Sequence, residues 1–280
     1  MAWKNEAMKC SDCGKDFQGR FAIIDGVERF RSDTCPECQE ENTRKERRAE
    51  AERELQQAIV NRRTAWREEA NLPGMFATKT LDGFNKALQP KAFKAISEYP
   101  GKGPGSLVLY SPDLYGVGKT HLVCALVNRL LADEVPARLT QYLSIQEMCC
   151  PAHFTTEPHL LDRIRGTFSG RGEVEKEWRL RGSSRPVTDE DIYQEMSKVR
   201  LLVVDDVGKV RPRDSSFLQG VYYRIIDGRY TAGLPVILTT NLSLAELETH
   251  IGGASADRLR EMCGGKNFIK LSGKSYRRQE

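Results

Sequence analysis

Gly116-Val117-Gly118-Lys119-Thr120-His121 follows the apolar run Leu107–Tyr110 and opens a stretch of helical composition. A strand that turns through glycines into a helix directs several backbone N–H groups at one point, and the helix N-terminus adds partial positive charge there. Glycine is needed because a Cβ blocks the approach of a phosphate to the backbone. The spacing lets Lys119 reach the β- and γ-phosphates of a nucleotide and lets the Thr120 hydroxyl coordinate Mg²⁺. Asp113 stands where the strict G-x-x-x-x-G-K-[ST] pattern has its first glycine. A carboxylate there opposes a polyphosphate unless it points away. Taken alone, these residues also fit an ordinary glycine turn before a helix.

A second stretch, residues 199–208, reads Val-Arg-Leu-Leu-Val-Val-Asp-Asp-Val-Gly. Four apolar residues run into two adjacent carboxylates. Asp205 is placed to hold Mg²⁺ opposite Thr120, and Asp206 to orient or deprotonate an attacking water. A lone pair of aspartates at a strand end also reads as a turn with solvated carboxylates. With the glycine loop far upstream, the two halves argue for nucleotide hydrolysis. A third apolar run ends in Thr239, Thr240 and Asn241. Asn241 is positioned to hold the water from the opposite side, and alone it reads as a turn or capping residue.

Cys10-x-x-Cys13 and Cys35-x-x-Cys38 form two pairs near the N-terminus. Each pair can bite one metal from one side, and four thiolates suit Zn²⁺ in a tetrahedral site. The intervening residues 14–34 match a zinc ribbon, slightly beyond its usual spacer. A piece this short normally needs a metal to fold. Redox C-x-x-C pairs are the alternative. Cys149, Cys150, His153 and His159 form a weaker second metal candidate, with buried cysteine as the plainer reading.

These residues need elements to hold them. The chain has 280 residues, 29% of them charged and 39% hydrophobic, which permits about two globular domains and argues against whole-chain disorder. A mean hydropathy of −0.52, no long apolar run and no apolar segment at the start argue against a membrane span and secretion, and a cytoplasmic protein is expected. Residues 1–42 read as the zinc-ribbon module. Residues 43–71 are rich in Arg, Glu, Lys, Ala and Gln, a charged helical linker with a thin apolar stripe at Leu55, Ile59 and Trp66. From residue 72 the pattern alternates. Strands are expected at 107–110, 139–143, 201–204, 236–240 and 268–271, and helices at 120–132, 191–198, 215–229 and 244–250. Continuous apolar strands between helices predict an α/β fold with a parallel sheet covered on both faces. Residues 151–186 break the rhythm and read as a polar excursion.

The motifs GVGKTHL (116–122), LLVVDDVG (201–208), IIDGRYTAGLPVILTTNLS (225–243), ADRLREMC (256–263) and GKSYR (273–277) resemble the AAA+ ATPases of the DnaC/DnaI helicase-loader and IstB transposition-helper group. The resemblance covers residues 72–280. It implies an AAA+ P-loop ATPase domain that binds ATP and Mg²⁺ through Gly116, Val117, Gly118, Lys119, Thr120 and His121. It also implies sensor roles for Asn241 and Arg277, and an arginine finger at Arg258 that reaches the γ-phosphate on a neighbouring subunit. Such a finger is worth roughly 10³–10⁵ in rate and ties hydrolysis to assembly, so an oligomer is expected.

The implied partners are a replicative helicase, or a transposase on the IstB-like alternative, together with single-stranded DNA. Acidic side chains slightly outnumber basic ones over residues 1–70, so the zinc module favours protein contact over a phosphate clamp. Positive charge gathers in residues 264–280 and in the excursion, where Arg171, Lys176, Arg179, Arg181 and Arg185 lie near Phe168 and Trp178. Basic residues interleaved with aromatics suit single-strand binding. A rival from another class is a zinc-dependent DNA-binding adaptor with a degenerate nucleotide site.

Overall fold

The computed structural model describes residues 2–24, 27–31, 33–101, 105–112, 114–133, 149–168, 186–211, 215–273 and 275. These fall into two compact units, one of residues up to Val60 and one of the described residues from Asn61 onward.

In the first unit, β1 (Ala2–Lys9), β2 (Asp16–Ile24) and β3 (Val27–Arg31) form an antiparallel sheet in that order. Lys9 pairs with Asp16, so the β1–β2 turn holds Cys10 and Cys13. Helix α1 (Pro36–Glu69) begins at Cys35 and Cys38 and runs for 34 residues. Pro36 at its first position suits a helix start. Glu37 in the first turn and Arg67 in the last complement the helix dipole.

The end of α1 is not a solvated connector. From Asn61 it belongs to the second unit, where Trp66 (2% exposed) and Ala70 are buried with Phe84, Ile96, Leu122 and Phe154. Burying a Trp against such neighbours outweighs the charge of the turns around it. The linker expected over 43–71 is therefore divided, its last turns built into the second unit.

The second unit is a five-stranded parallel sheet of β4 (Leu107–Tyr110), β5 (Ala152–Thr156), β6 (Leu201–Val207), β7 (Val236–Thr240) and β8 (Phe268–Lys270), ordered β5-β6-β7-β4-β8. Helices α2 (Pro90–Ser97) and α3 (Lys119–Asp133) share one core, with Leu107, Leu109, Val203 and Ile237. Helices α4 (Glu157–Phe168), α5 (Asp189–Lys198), α6 (Ser215–Ala232), α7 (Leu244–Ile251) and α8 (Gly253–Met262) share the other, with Val108, Leu202, Val204 and Leu238. Alternate residues of each strand thus feed opposite cores, which is why the strands read as unbroken apolar runs.

The edge strand differs from expectation. Ala152–Thr156 forms it, out of the stretch that reads as a polar excursion. Its polar side chains are buried because the end of α1 covers the edge. Phe154 N–H donates to Ala70 O (2.8 Å), Asn71 Nδ2 to Phe154 O (3.1 Å), and His153 Nδ1 lies 3.1 Å from Glu69 O. The strand expected at 139–143 lies outside the described residues, as do 169–185 of the excursion. At the far end of the sheet Arg229, 0% exposed, donates to Pro235 O (3.1 Å), Met196 O (2.6 Å) and Arg200 O (3.3 Å). These bonds pin the start of β7 to the chain between α5 and β6. No helix among the described residues is long and apolar enough to cross a membrane.

Candidate functional site

Strand β4 ends at Tyr110, and Lys119 is the first residue of α3. Gly116 (φ 74°) and Gly118 (φ 98°) take left-handed conformations that side-chain-bearing residues avoid, and they turn the chain into the helix. Val117 is buried beneath the loop. The Lys119 ammonium, in a side chain with 6% exposure, donates to Ser111 Oγ and to Asn241 Oδ1, each at 2.5 Å. Thr120 Oγ1 donates to Asp205 Oδ2 at 2.9 Å. Residues from β4, α3, β6 and β7 therefore converge at one end of the sheet. Strand β7 makes this possible because it lies between β4 and β6. Its last residues tie both neighbours: Ser111 N–H donates to Thr240 O (3.1 Å), and Thr240 Oγ1 to Val207 O (2.6 Å).

The two acids occupy different environments. Asp205 is 2% exposed and accepts from the hydroxyls of Thr120 and Thr239. Burial, then the adjacent Asp206 charge, push its carboxyl up to about 6, against the pull of those two hydroxyls. In a regular strand Asp205 and Asp206 would face opposite sides. The β6–β7 register slips between Val204 and Val207, and Asp206 takes φ 59°, so a bulge re-aims it. Its N–H donates to Thr239 Oγ1 (3.0 Å), and its carboxylate pairs with Lys209.

Glu157, at the first turn of α4 and 0% exposed, carries no signal in the sequence. It accepts from Gly208 N (2.8 Å), Val210 N (3.1 Å) and Tyr222 OH (3.0 Å), with His250 Nε2 at 2.8 Å. This one carboxylate holds the backbone just after the acid pair against α6 and α7. Gly208 takes φ 94°, where any side chain is strained, and a Cβ would also push Leu242 Cδ1 aside from 2.5 Å. Ser111 and Thr239 also go unread in the sequence. Their position at the carboxyl ends of β4 and β7 is the one clue to them.

His121 is not gathered with these residues. Its Nε2 lies 3.3 Å from Thr80 O and its ring stands edge-on to Phe84 at 5.2 Å, so it braces residues 80–84 against α3. Burial lowers its pKa. Arg258 lies on α8. Its Nε is 2.9 Å from Asp227 Oδ1, its guanidinium is 5.0 Å from the Tyr223 ring and 6.0 Å from that of Tyr230, and it touches none of the phosphate-loop or acid residues. Asp113 and Arg277 lie outside the described residues.

The four N-terminal cysteines cluster with all Sγ atoms within 4.8 Å of one another, and Cys13 and Cys35 are 3.7 Å apart. Two thiolates at about 2.3 Å from a tetrahedral Zn²⁺ stand about 3.8 Å apart, so donor type and spacing both fit. Cys35 N–H donates to Cys10 Sγ at 3.2 Å, which favours the thiolate and draws its pKa down to about 6. Cys149, Cys150, His153 and His159 form no such cluster among the described residues. Cys150 instead donates to Ala152 O (3.1 Å).

The sheet order, the glycine loop between β4 and α3, and the acids on β6 define an AAA+ P-loop fold, preceded by a cysteine cluster fit for a zinc ribbon. No protein-family model and no curated protein matches the sequence. Among solved structures, the chain is similar to a DnaC helicase loader (18% identity, TM-score 0.49, covering 71% of this chain and all of that one). It is also similar to DnaI (21% identity, TM-score 0.45, 72% and 93%). AMPPCP-bound DnaA from Aquifex aeolicus aligns at 17% identity and TM-score 0.46 over 74% of this chain and 53% of that one, so the chain spans about half of that DnaA.

Proposed function

We propose that this chain is an ATPase of DNA replication that oligomerises and remodels a replicative helicase on single-stranded DNA. The observation that carries the ATPase reading is the convergence of Lys119 and Thr120 at the start of α3, Asp205 on β6 and Asn241 just after β7 within hydrogen-bonding reach. The motifs quoted above support the replication role. Thr120 and Asp205 would hold Mg²⁺, which would supply charge neutralisation at the triphosphate. Lys119 and the amides of residues 116–120 bind and orient the triphosphate. Asp206 orients the attacking water and takes its proton, with Asn241 opposite. Arg258, which contacts no site residue in its own chain, completes the site of a neighbouring copy, and Arg277 reads the nucleotide in its own. Cys10, Cys13, Cys35 and Cys38 hold Zn²⁺ in a module that contacts the protein partner.

Steady-state hydrolysis with and without single-stranded DNA tests this reading. Wild type turns over ATP. Lys119→Ala and Arg258→Ala each lose at least about 10²-fold, and mixing the two variants restores part of the rate because each supplies what the other lacks. No turnover by wild type overturns the ATPase reading in favour of a zinc-dependent adaptor. Full activity of Arg258→Ala alone removes the trans role. Co-purification with a transposase instead of a helicase replaces the loader reading with the transposition one.

A further inference from the structure

A cavity of about 510 Å³ runs beside α3 and has no carboxylate on its wall among the described residues. Its cations are Arg63 and Arg67 from the end of α1, Lys79, and Arg129 from α3. Arg129 is occupied, since both its terminal nitrogens donate to the carbonyls of Ser97 and Tyr99. Arg63 is half occupied. Its Nη2 donates to Ala132 O (2.8 Å), while its Nε is buried without a partner. Arg67 and Lys79 have no ion-pair partner among the described residues. Asn128 fixes this wall by donating to Phe76 O (3.1 Å) and Lys79 O (2.8 Å).

The helix pattern points the same way independently. Helix α1 is dense in glutamate, and every cation over residues 44–53 has a glutamate three or four residues away, as Lys45 has Glu41 at 2.8 Å. Around Arg63 and Arg67 the positions three and four residues away are Ile59, Val60, Trp66, Thr64, Ala70 and Asn71, none acidic. The two arginines are each other's only charged neighbours at that spacing. Like charges at i,i+4 repel, and an anion between them reverses the repulsion.

We infer that this groove binds the phosphodiester backbone of a nucleic-acid strand. Arginine forks and a lysine ammonium are the groups that recognise phosphate oxygens. Among the described residues no aromatic ring lines the cavity, so these contribute no base stacking and their contacts are independent of sequence. His121 contacts Thr80, the residue after Lys79, so the groove begins beside the phosphate loop. A strand lying in it would pass close to the nucleotide. The inference names a nucleic-acid contact for the function proposed above, and rests on that reading only for the presence of a nucleic-acid partner.

Fluorescence anisotropy of labelled oligothymidylate and oligouridylate, titrated at several salt concentrations with ATP and Mg²⁺ present, tests the site. Arg67→Ala and Lys79→Ala remove charge where no hydrogen bond supports the fold, and thermal melts confirm folding. Each is expected to weaken binding of every sequence alike and to lower the salt slope by about 0.7. The double reversal Arg67→Glu/Lys79→Glu is expected to lose more than about tenfold in affinity while basal ATP hydrolysis is unchanged. The stronger of the two oligonucleotides identifies the strand type. Wild-type affinity and slope in all three variants overturn the groove and leave the proposed function standing. No binding by wild type overturns both.

Discussion

Asp205 shows what one residue contributes and costs. A buried carboxyl with its pKa raised to about 6 binds a proton more tightly folded than unfolded. Stability from this group is therefore present at low pH and lost as pH rises from about 4 to about 6, on the order of 3 kcal/mol. Asp205→Asn keeps an acceptor for Thr120 and Thr239 and removes the charge. In metal-free buffer its melting temperature at pH 8 should exceed wild type by several degrees, and the gap should close toward pH 4. The same variant should lose Mg²⁺-dependent hydrolysis. In wild type, Mg²⁺ affinity should fall as pH drops below about 6, because the metal requires the ionised form. A melt series across pH with an Mg²⁺ titration checks all three. The convergence of Lys119, Thr120 and Asp205 was legible because their types and order along the chain follow a phosphate- and metal-binding pattern. Ser111 and Thr239 were not, because a serine or threonine at a strand end is ordinary until its neighbours are known.

At the level of elements, the two acids are set apart because β6 is interrupted. The slipped register and left-handed Asp206 cost about 1–3 kcal/mol of backbone strain, which the surrounding hydrogen bonds must hold in place. Glu157 is the main holder, with two amides after the bulge bound to its carboxylate. Glu157→Gln replaces an acceptor by an amide donor facing N–H groups. It should destabilise the second unit by about 2–4 kcal/mol and, on the proposed function, lower kcat with little change in KM. Melts and steady-state kinetics separate the two effects, and a variant as active and stable as wild type would deny Glu157 this role. Four of the five strands were legible as apolar runs. The edge strand was not, because Ala152-His153-Phe154-Thr155-Thr156 is half polar and is buried only when the end of α1 covers it.

For the molecule as a whole, each unit has its own means of stability. Chelation of Zn²⁺ should unfold the β1–β3 module and leave the melt of the second unit in place, since β4–β8 and their helices hold separate cores. Two resolved transitions, with one abolished by chelator, are the expected outcome, read by circular dichroism beside zinc release. Trp66→Ala should instead lower the second transition by about 3–5 kcal/mol. A chain starting at residue 72 should be less stable than one starting at residue 61, for the same reason. Glycine loops, cysteine pairs and apolar runs were readable without coordinates because each is a short-range pattern whose chemistry or burial follows from its own residues. The bulge at Asp206, the four donors around Glu157, the covered edge of β5 and the pinning of Arg258 by Asp227 were set by the fold alone. Each is a polar group satisfied by partners tens of residues away, and such long-range satisfaction leaves no local pattern in the chain.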